Sequence, residues 1–535
     1  MFSNCVLLNS LSTMVVLILA GPLQAQVTLS SFSSSYLKIG EKSVLKMNGS
    51  TPNWPISIWF DRQGIAAKPL EKGEIEFNVP ENAIPGIYHV RLRDGHGVSE
   101  PVPLVIDYLD AATEVEPNGS IDESQEFGSA VAVSADLAKN GDVDCYSLSL
   151  KKNTTLVASM LGNPSLGQSM DGVLQVCDTN GFVLAQNDDT KGVDPQITID
   201  IPADGTYTVR VFAFPAAPNS SIRFAGGADY RYILRMTDGP FLDFRLPLPA
   251  WTAAEKHPVI RAWNFQQSHE GHVVRLPSDQ DLLYVPGLAN QLVLKPGNSQ
   301  GHVLVEAEVD SRKPLLVPWD LTGEISEVGE SDFFVFKGTK GTKIRFDVDS
   351  RNHGFDLDPI ATIYDAKGKK LIEKDDRSKT DPDLTLDFVP PSDGQYLIKI
   401  RDASDSGGER FPYRLRANPV QADFQLMLNA SKFRIDEKKT LEIEVSINRI
   451  DGFDQGIEIY CTGLPDFVKV ESVRSEPKGD SQKKVKLKLE ARTDDNFQGT
   501  FQITGVLKDQ RRQAQFKLPS GHRLCNPFLT IGTVK

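Results

Sequence analysis

The feature that most constrains the fold of this chain is an internal repeat. Three pairs of segments match in the same order, each pair about 188 residues apart: 142–148 with 330–336, 169–181 with 356–368, and 202–207 with 391–396. A spacing that is kept over several motifs is typical of duplicated structural units. We therefore expect the two copies to share one fold.

Both copies alternate apolar and polar residues with a period of two. In the first copy Tyr207, Val209 and Val211 alternate with Thr208 and Arg210, and residues 396–400 repeat this pattern in the second copy. The alternation predicts half-buried β-strands, and the Asp-Gly and Asn-Gly pairs between them predict tight turns. Long amphipathic helical patterns are missing from the sequence, so we expect an all-β chain of tandem β-sandwiches.

The repeat spacing also divides the chain. It exceeds the roughly 100 residues of one sandwich, which indicates a duplicated two-domain unit followed by a final domain. The expected boundaries are 1–25 for a signal peptide, 27–108 for a first sandwich, 110–238 for the first repeat, 240–313 for a weaker second sandwich, 314–417 for the second repeat and 420–535 for the last domain.

The first 25 residues have the pattern of a secretory signal peptide. An apolar run at 14–20 is followed by Gly21-Pro22, and the small residue Ala25 occupies the cleavage position, although no Lys or Arg precedes the run. This pattern is typical of secretion. Because no second apolar run of about 18 residues follows, we expect a secreted protein (extracellular, periplasmic or cell-surface) with no transmembrane segment in the mature chain.

The charge of the chain limits its partners. There are 58 Lys and Arg against 71 Asp and Glu, which gives a net charge of −13. Nucleic acids and anionic membranes bind basic surfaces. We therefore expect no nucleic-acid partner.

Motifs of catalysis are scarce. Neither a P-loop nor a G-x-G-x-x-G fingerprint occurs, and His269 and His272 have a spacing of three rather than the four of a zinc-binding helix. The pairs Asp188-Asp189 and Asp375-Asp376 indicate turn capping, since adjacent residues of a strand point to opposite faces. We expect the protein not to be an enzyme.

The ordered motifs of the repeats resemble the bacterial pre-peptidase C-terminal domain. They are Glu114-Val-Glu116-Pro117-Asn118, Gly141-Asp142-Val-Asp144, the Asp-x-x-Gly and Asp-Asp turns, and Ala203-Asp204-Gly205-Thr-Tyr207. The second copy matches from Val317 onward and lacks the Glu-Pro-Asn segment. Members of this family are secreted, jelly-roll-like β-sandwiches that are often attached to proteases, so the resemblance implies jelly-roll-like repeats.

The flanking domains are similar to bacterial immunoglobulin-like modules. The resemblance lies in Gly452-Phe-Asp-Gln-Gly456 and Gly463-Leu-Pro465 near the C-terminus and in Pro85-Gly86-Ile-Tyr88 near the N-terminus. The whole arrangement resembles planctomycete secreted or surface proteins. It implies immunoglobulin-like sandwiches that alternate with the repeats.

The resemblance also implies a calcium site in the first repeat. In the related collagen-binding domains, a leading segment and the acidic residues of the next strand bind calcium, and the matching positions here are Glu114, Glu116, Asn118, Asp142 and Asp144. Such hard oxygen ligands suit calcium. The open alternative is a solvated acidic linker with a turn at Asn118-Gly119.

We expect the second repeat to bind calcium weakly or not at all. It keeps Glu330 and Asp332 but lacks the leading segment in the sequence match.

Four cysteines remain after Cys5 is removed with the signal peptide: Cys145, Cys177, Cys461 and Cys525. Cys145 and Cys177 align with Phe333 and Tyr364 of the second copy, which predicts strand positions that face the core. A disulfide between these two cysteines and a pair of buried free thiols both remain open.

These features predict a non-catalytic binding or adhesion protein, stabilised by calcium, whose partner is an extracellular polymer or a cell-surface component. Rigid linkers would keep the domains extended, and weak modules would then act together through avidity. Two alternatives remain: a structural component of the cell envelope, and an accessory or targeting subunit of a secreted peptidase.

Overall fold

The structure is a computed structural model that describes residues 27–532. The description omits 72, 96, 129, 191, 218–222, 249–258, 266–271, 276–280, 295–301, 311, 380, 436–439, 492–494, 509, 520 and 522. The expected signal peptide at 1–25 lies outside the described residues. The chain is all-β, as its alternating pattern predicts, and its strands form several β-sandwiches.

The first domain is a sandwich of a four-stranded sheet and a five-stranded sheet. The sheets have the orders β1-β3-β6-β5 and β2-β9-β7-β4, with β8 beside β7. In β6 the alternation is plain, since Ile75 and Phe77 are fully buried between exposed Glu74 and Asn78. The strands are β1 (Thr28–Phe32), β2 (Tyr36–Lys38), β3 (Lys42–Ser50), β4 (Ser57–Phe60), β5 (Ala66–Pro69), β6 (Glu74–Asn78), β7 (Gly86–Asp94), β8 (Gly97–Val98) and β9 (Val102–Asp107).

The first repeat packs two five-stranded sheets face to face. Their orders are β10-β12-β19-β14-β17 and β11-β13-β18-β15-β16. A 3-10 helix at Ile121–Glu123 and a short helix α1 at Asn163–Leu166 lie in its connections. The strands are β10 (Asp110–Thr113), β11 (Gln125–Phe127), β12 (Val131–Asp136), β13 (Asp144–Leu150), β14 (Thr155–Leu161), β15 (Met170–Cys177), β16 (Val183–Asn187), β17 (Gln196–Asp200), β18 (Gly205–Pro215) and β19 (Arg231–Thr237).

Between the repeats, the described residues form two small sheets. One pairs β20 with β21, and the other has the order β22-β23-β24. Phe241 and Ala289 pack against Val157 of the first repeat. The strands are β20 (Phe241–Leu246), β21 (Val259–Trp263), β22 (His272–Arg275), β23 (Asp281–Tyr284) and β24 (Leu292–Leu294).

The second repeat has the same strand order as the first, in sheets β25-β27-β34-β29-β32 and β26-β28-β33-β30-β31. Two 3-10 helices lie at Glu306–Glu308 and Arg351–His353. The strands are β25 (His302–Val305), β26 (Leu315–Leu316), β27 (Trp319–Glu324), β28 (Ser331–Gly338), β29 (Ile344–Asp349), β30 (Pro359–Asp365), β31 (Lys370–Lys374), β32 (Leu384–Phe388), β33 (Gly394–Asp402) and β34 (Pro412–Pro419).

The predicted boundary at 313/314 is therefore wrong. β25 (His302–Val305) runs parallel to β27, just as β10 runs parallel to β12 in the first repeat. The second repeat begins at His302, and the leading segment that the sequence comparison missed is present. The mismatch arises because this segment is shorter in the second copy, so the repeat spacing changes across it.

The last domain contains a long sheet and a three-stranded sheet. Their orders are β39-β41-β37-β35-β44-β43-β38-β40, with β45 beside β44, and β36-β46-β42. The strands are β35 (Asp423–Leu428), β36 (Lys432–Ile435), β37 (Thr440–Ile450), β38 (Ile457–Thr462), β39 (Val468–Val470), β40 (Val473–Ser475), β41 (Lys484–Ala491), β42 (Phe497–Thr500), β43 (Gln502–Leu507), β44 (Gln510–Lys517), β45 (Arg523–Leu524) and β46 (Phe528–Ile531).

The domains are not arranged as an extended string, contrary to our expectation. The buried pair Asp107–Arg235 joins the first domain to the first repeat at 2.7 Å. Contacts also close the chain on itself, because the last domain packs against the first. These contacts include Trp59 with Phe528, Ser431 with Glu100, and Gln498 with the backbone of Asp94.

Cys145 and Cys177 are free thiols, so the disulfide between them does not form. β18 separates the strands of Cys145 and Cys177. At a strand spacing of about 4.8 Å, their Cα atoms lie roughly 10 Å apart, beyond the reach of a disulfide. Both side chains are fully buried, as the alternative of buried free thiols expects, although the core cluster of the repeat contains their neighbours Tyr146 and Val176.

Candidate metal site

The leading segment of the first repeat is fixed by strand pairing. β10 runs parallel to β12, and the chain then continues from β10 alongside the end of β12. The Glu114 N–H donates to the carbonyl of Ser134 at 3.1 Å, and the Asp136 N–H donates to Glu114 Oε2 at 3.0 Å. The carboxylate of Glu114 is therefore held above the start of the second sheet.

Asn118 anchors the rest of this segment beneath the surface. Its carbonyl accepts the N–H of Cys145 at 2.9 Å, and its Nδ2 donates to Glu114 Oε1 at 2.9 Å. Its own N–H donates to Glu116 Oε2 at 2.9 Å. The side chain of Asn118 is fully buried, which argues against the alternative of a solvated turn at this position.

Asp142 and Asp144 approach from the turn before β13 and from its first residue. Asp142 Oδ2 accepts the N–H of Ala138 at 2.7 Å, which holds the turn closed. Asp144 Oδ2 accepts the hydroxyl of Tyr232. The Tyr232 hydroxyl lies 2.8 Å from that of Tyr146. Tyr146 in turn donates to Glu114 Oε1 at 2.9 Å.

Three of the five predicted ligands converge. One carboxylate oxygen from each of Glu116, Asp142 and Asp144 lies within 4.8 Å of the others. Asn118 Oδ1 and Asp144 Oδ1 are buried and have no hydrogen-bond partner among the described residues. Buried acceptors without partners are costly, so this constellation fits a cation that would satisfy them.

Glu114 is placed differently from the other predicted ligands. Its two carboxylate oxygens already accept hydrogen bonds from Tyr146, Asn118 and Asp136. It therefore orients the Asn118 amide, with Nδ2 bound to Glu114 and Oδ1 left without a partner. This is the arrangement by which outer groups commonly position metal ligands.

The electrostatics of the site also fit a cation. Burial, followed by the neighbouring Glu114 carboxylate, raises the pKa of Asp144 to about 9. The side chain holds a proton at neutral pH unless a positive charge replaces it. All the available donors are oxygens, the set preferred by hard cations such as calcium. The acidic triad, in which Asp142 and Asp144 are buried and Glu116 is exposed, can thus hold a metal.

The second repeat builds a different centre from related residues. Glu306 follows β25 and accepts the N–H of Glu324 at 3.1 Å, just as Glu114 accepts that of Asp136. Asp332 accepts the hydroxyl of Tyr413 and lies beside the Glu306 carboxylate. Glu330 caps the turn at Ser326 and Glu327.

Sequence reasoning missed the hydroxyls of Tyr146 and Tyr232. The signal that could have found them is a tyrosine at an inward-facing position of an otherwise apolar strand. A buried tyrosine hydroxyl needs a hydrogen-bond partner. It also missed Glu306, because the shorter leading segment broke the alignment.

The sequence also contains one serine motif that is typical of hydrolases. Gly297-Asn298-Ser299-Gln300-Gly301 has the G-x-S-x-G spacing of a nucleophile elbow. These residues lie outside the described part of the chain. The elements on either side are β24 and β25, both strands, whereas a nucleophile elbow joins a strand to a helix.

Comparison with known families now adds to this geometry. Residues 142–213 and 330–402 match the bacterial pre-peptidase C-terminal domain. The chain carries two such domains. They occur in secreted bacterial proteins and are often associated with peptidases. In the described residues, no helix is long and apolar enough to cross a membrane.

A curated relative is a probable subtilase-type serine protease of Deinococcus radiodurans. It is 33% identical over 105 residues, which make up 19% of this chain and 14% of the protease. The match thus covers a small part of both proteins.

Solved structures overlap at low similarity. The M60 catalytic domain of Clostridium perfringens ZmpB with its CBM51 domains is 11% identical, with 74% of this chain and 55% of that chain covered at a TM-score of 0.15. The CbhA fibronectin(III)-like modules of Clostridium thermocellum are 14% identical, with 38% and 94% covered at 0.13. The eight N-terminal Ig domains of Down syndrome cell adhesion molecule are 10% identical, with 89% and 52% covered at 0.15.

Proposed function

We propose that this chain is a secreted, non-catalytic binding protein whose first repeat is stabilised by calcium and whose partner is an extracellular polymer or cell-surface component. The observation that carries the calcium part is the pair of buried oxygens without partners, Asn118 Oδ1 and Asp144 Oδ1, beside three converging carboxylates. The two domains of a family found in secreted proteins support the rest.

Calcium binding is tested by titration calorimetry and thermal unfolding of the full chain. A site with a dissociation constant of about 10⁻⁴ M adds about 1.4 kcal/mol of stability at millimolar calcium. We expect Asp144→Asn to abolish both the heat of binding and the calcium-dependent shift. The matched control is Asp332→Asn in the second repeat, which should retain them. Wild-type protein that binds no calcium would refute this part of the proposal.

Polymer binding is tested by pull-down of the full chain on collagen, peptidoglycan and insoluble polysaccharides, with calcium and with chelator. Retention on one matrix, weakened by chelator or by Asp144→Asn, is the expected result. Failure to bind any matrix, together with retention in washed envelope fractions, would favour the structural alternative.

The peptidase-associated alternative is supported by the Deinococcus relative. The test is turnover of casein, ester and glycoside substrates by purified protein, with Ser299→Ala as a variant of the elbow-like pattern. We expect no turnover above that of the variant. Activity lost in Ser299→Ala would overturn the non-catalytic proposal.

A further inference from the structure

The two repeats differ at one sheet edge. β16 in the first repeat and β31 in the second are equivalent, since each ends its sheet and pairs only with the strand before it among the described strands. Both pairings contain an irregularity at the same place, between Val176 and Cys177 and between Ile363 and Tyr364. The backbone at the two edges is therefore alike, and the side chains make the difference.

The edge in the second repeat is protected by charge. Lys369, Lys370 and Lys374 are exposed there, and Lys370 pairs with Glu373 at 2.7 Å. Lysines along an edge strand are a common protection against pairing with another chain.

The edge in the first repeat lacks this protection. Phe182 and Val183 replace Lys369 and Lys370, and together with Leu184 they are 70%, 46% and 39% exposed. β16 itself carries no charged residue. Its outer N–H and C=O groups, which point away from β15, are a template for one more strand.

The charges around this edge select the occupant. Asp178 lies half-buried before β16, where its Oδ1 accepts the N–H groups of Asn180 and Phe182, and the exposed Asp188 and Asp189 follow the strand. Antiparallel pairing of two β16 strands would bring the acidic end of one copy beside the acidic start of the other, so a second copy is disfavoured. A segment with an apolar centre and basic ends matches both features.

We propose that β16 of the first repeat binds an extended polypeptide segment with an apolar, β-branched centre flanked by Lys or Arg, by adding it as a further strand. Main-chain hydrogen bonds would supply affinity, while Phe182 and Leu184 and the flanking aspartates would supply selectivity. The inference deepens the proposed binding function by naming a partner class, and it does not require calcium.

The test is fluorescence anisotropy with the full chain and three labelled peptides: a Val/Thr centre with two lysines on each side, the same centre with glutamates, and the lysine peptide with a central proline. We expect the lysine peptide to bind at least tenfold more tightly than either of the others. The double variant Phe182→Lys/Val183→Lys should lose this binding at least tenfold. The second repeat shows that the strand tolerates lysines at these positions.

The matched control is Val389→Lys, which places a lysine at another exposed valine away from this edge and should leave binding unchanged. Equal binding of all three peptides, or binding that survives the double variant, overturns the inference. Dimerisation in analytical ultracentrifugation that the double variant abolishes also overturns it, because the occupant is then a second copy. None of these results alters the calcium titration or the polymer pull-down, so the two proposals fail independently.

Discussion

The two repeats share one strand order but use the same location for different chemistry. In the first repeat, the space between the leading segment and β13 gathers three carboxylates and the buried Asn118 amide. In the second repeat, Asp332 lies beside the Glu306 carboxylate, and the segment between β25 and β27 is shorter than the one between β10 and β12. One scaffold thus carries, among the described residues, an acidic cluster that can hold a metal in the first repeat and a carboxyl pair without that cluster in the second.

The two repeats differ in the hydrogen bonding of one aspartate oxygen. Asp144 and Asp332 each accept a tyrosine hydroxyl. Each also lies beside the glutamate of its own leading segment, Glu114 or Glu306. Only Asp144 has a buried second oxygen without a hydrogen-bond partner among the described residues. The comparison shows that an acidic cluster is not in itself a metal site, and that unsatisfied buried oxygens are the more telling feature.

The largest expected difference between the repeats concerns an equivalent pair of arginines. Arg235 pairs with Asp107 of the first domain, and both side chains are almost completely buried. Arg416 pairs with Asp349 inside its own repeat and is 23% exposed. Removing one partner of a buried pair costs about 3–5 kcal/mol, and a partly exposed pair about 1 kcal/mol.

We therefore expect Arg235→Ala to destabilise the protein by about 3–5 kcal/mol and Arg416→Ala by about 1 kcal/mol. Denaturant unfolding of the full chain measures both. Equal losses would show that the first domain and the first repeat are not joined by the buried pair.

The next difference is a pH dependence, which ends near pH 7 at Asp332 of the second repeat and near pH 9 at Asp144 of the calcium-free first repeat. Burial, followed by the nearby Glu306 carboxylate, raises the pKa of Asp332 to about 7. The folded state then holds a proton that the unfolded chain releases near pH 4. Stability from this group is greatest below about pH 4, falls as the pH rises toward 7, and is level above that.

Asp332→Asn should remove this decline, because an amide can still donate to Glu306 and accept from Tyr413. At pH 8 the variant should be more stable than wild type by on the order of 2–4 kcal/mol. Hydrogen exchange of the amides of β28 and β33 at pH 5 and pH 8 reads this region directly. An unchanged pH dependence in the variant would contradict the assignment of the proton to Asp332.

The sequence was a good guide to the fold where its pattern was local. Period-two alternation predicted strands such as β18 and β33, and the repeated motifs predicted two copies of one architecture. It failed where the chain changed length. The shorter leading segment hid Glu306 and placed the start of the second repeat too late.

The sequence predicted the site less completely. It brought Glu116, Asp142 and Asp144 into one set through a family resemblance, but it assigned Glu114 the same role. Only the structure shows that the Glu114 carboxylate already accepts hydrogen bonds from Tyr146, Asn118 and Asp136. The closure of the last domain on the first was likewise invisible, because contacts between distant segments leave no period in the sequence.

The smallest expected effect tests how the tyrosines tune the first site. Tyr146 donates to Glu114 and meets Tyr232, while the equivalent residue of the second repeat is Phe334. Tyr146→Phe converts this position to that of the second repeat and removes one buried hydrogen bond, worth about 1 kcal/mol. Glu114 then holds Asn118 less firmly, so we expect calcium affinity to fall about threefold to tenfold in calorimetry. Phe334→Tyr is the reciprocal control and should create no calcium site, because the second repeat lacks an equivalent of the buried Asn118 oxygen among its described residues.

Calcium binding gained by Phe334→Tyr would mean that the tyrosine, rather than the leading segment, decides which repeat binds the cation.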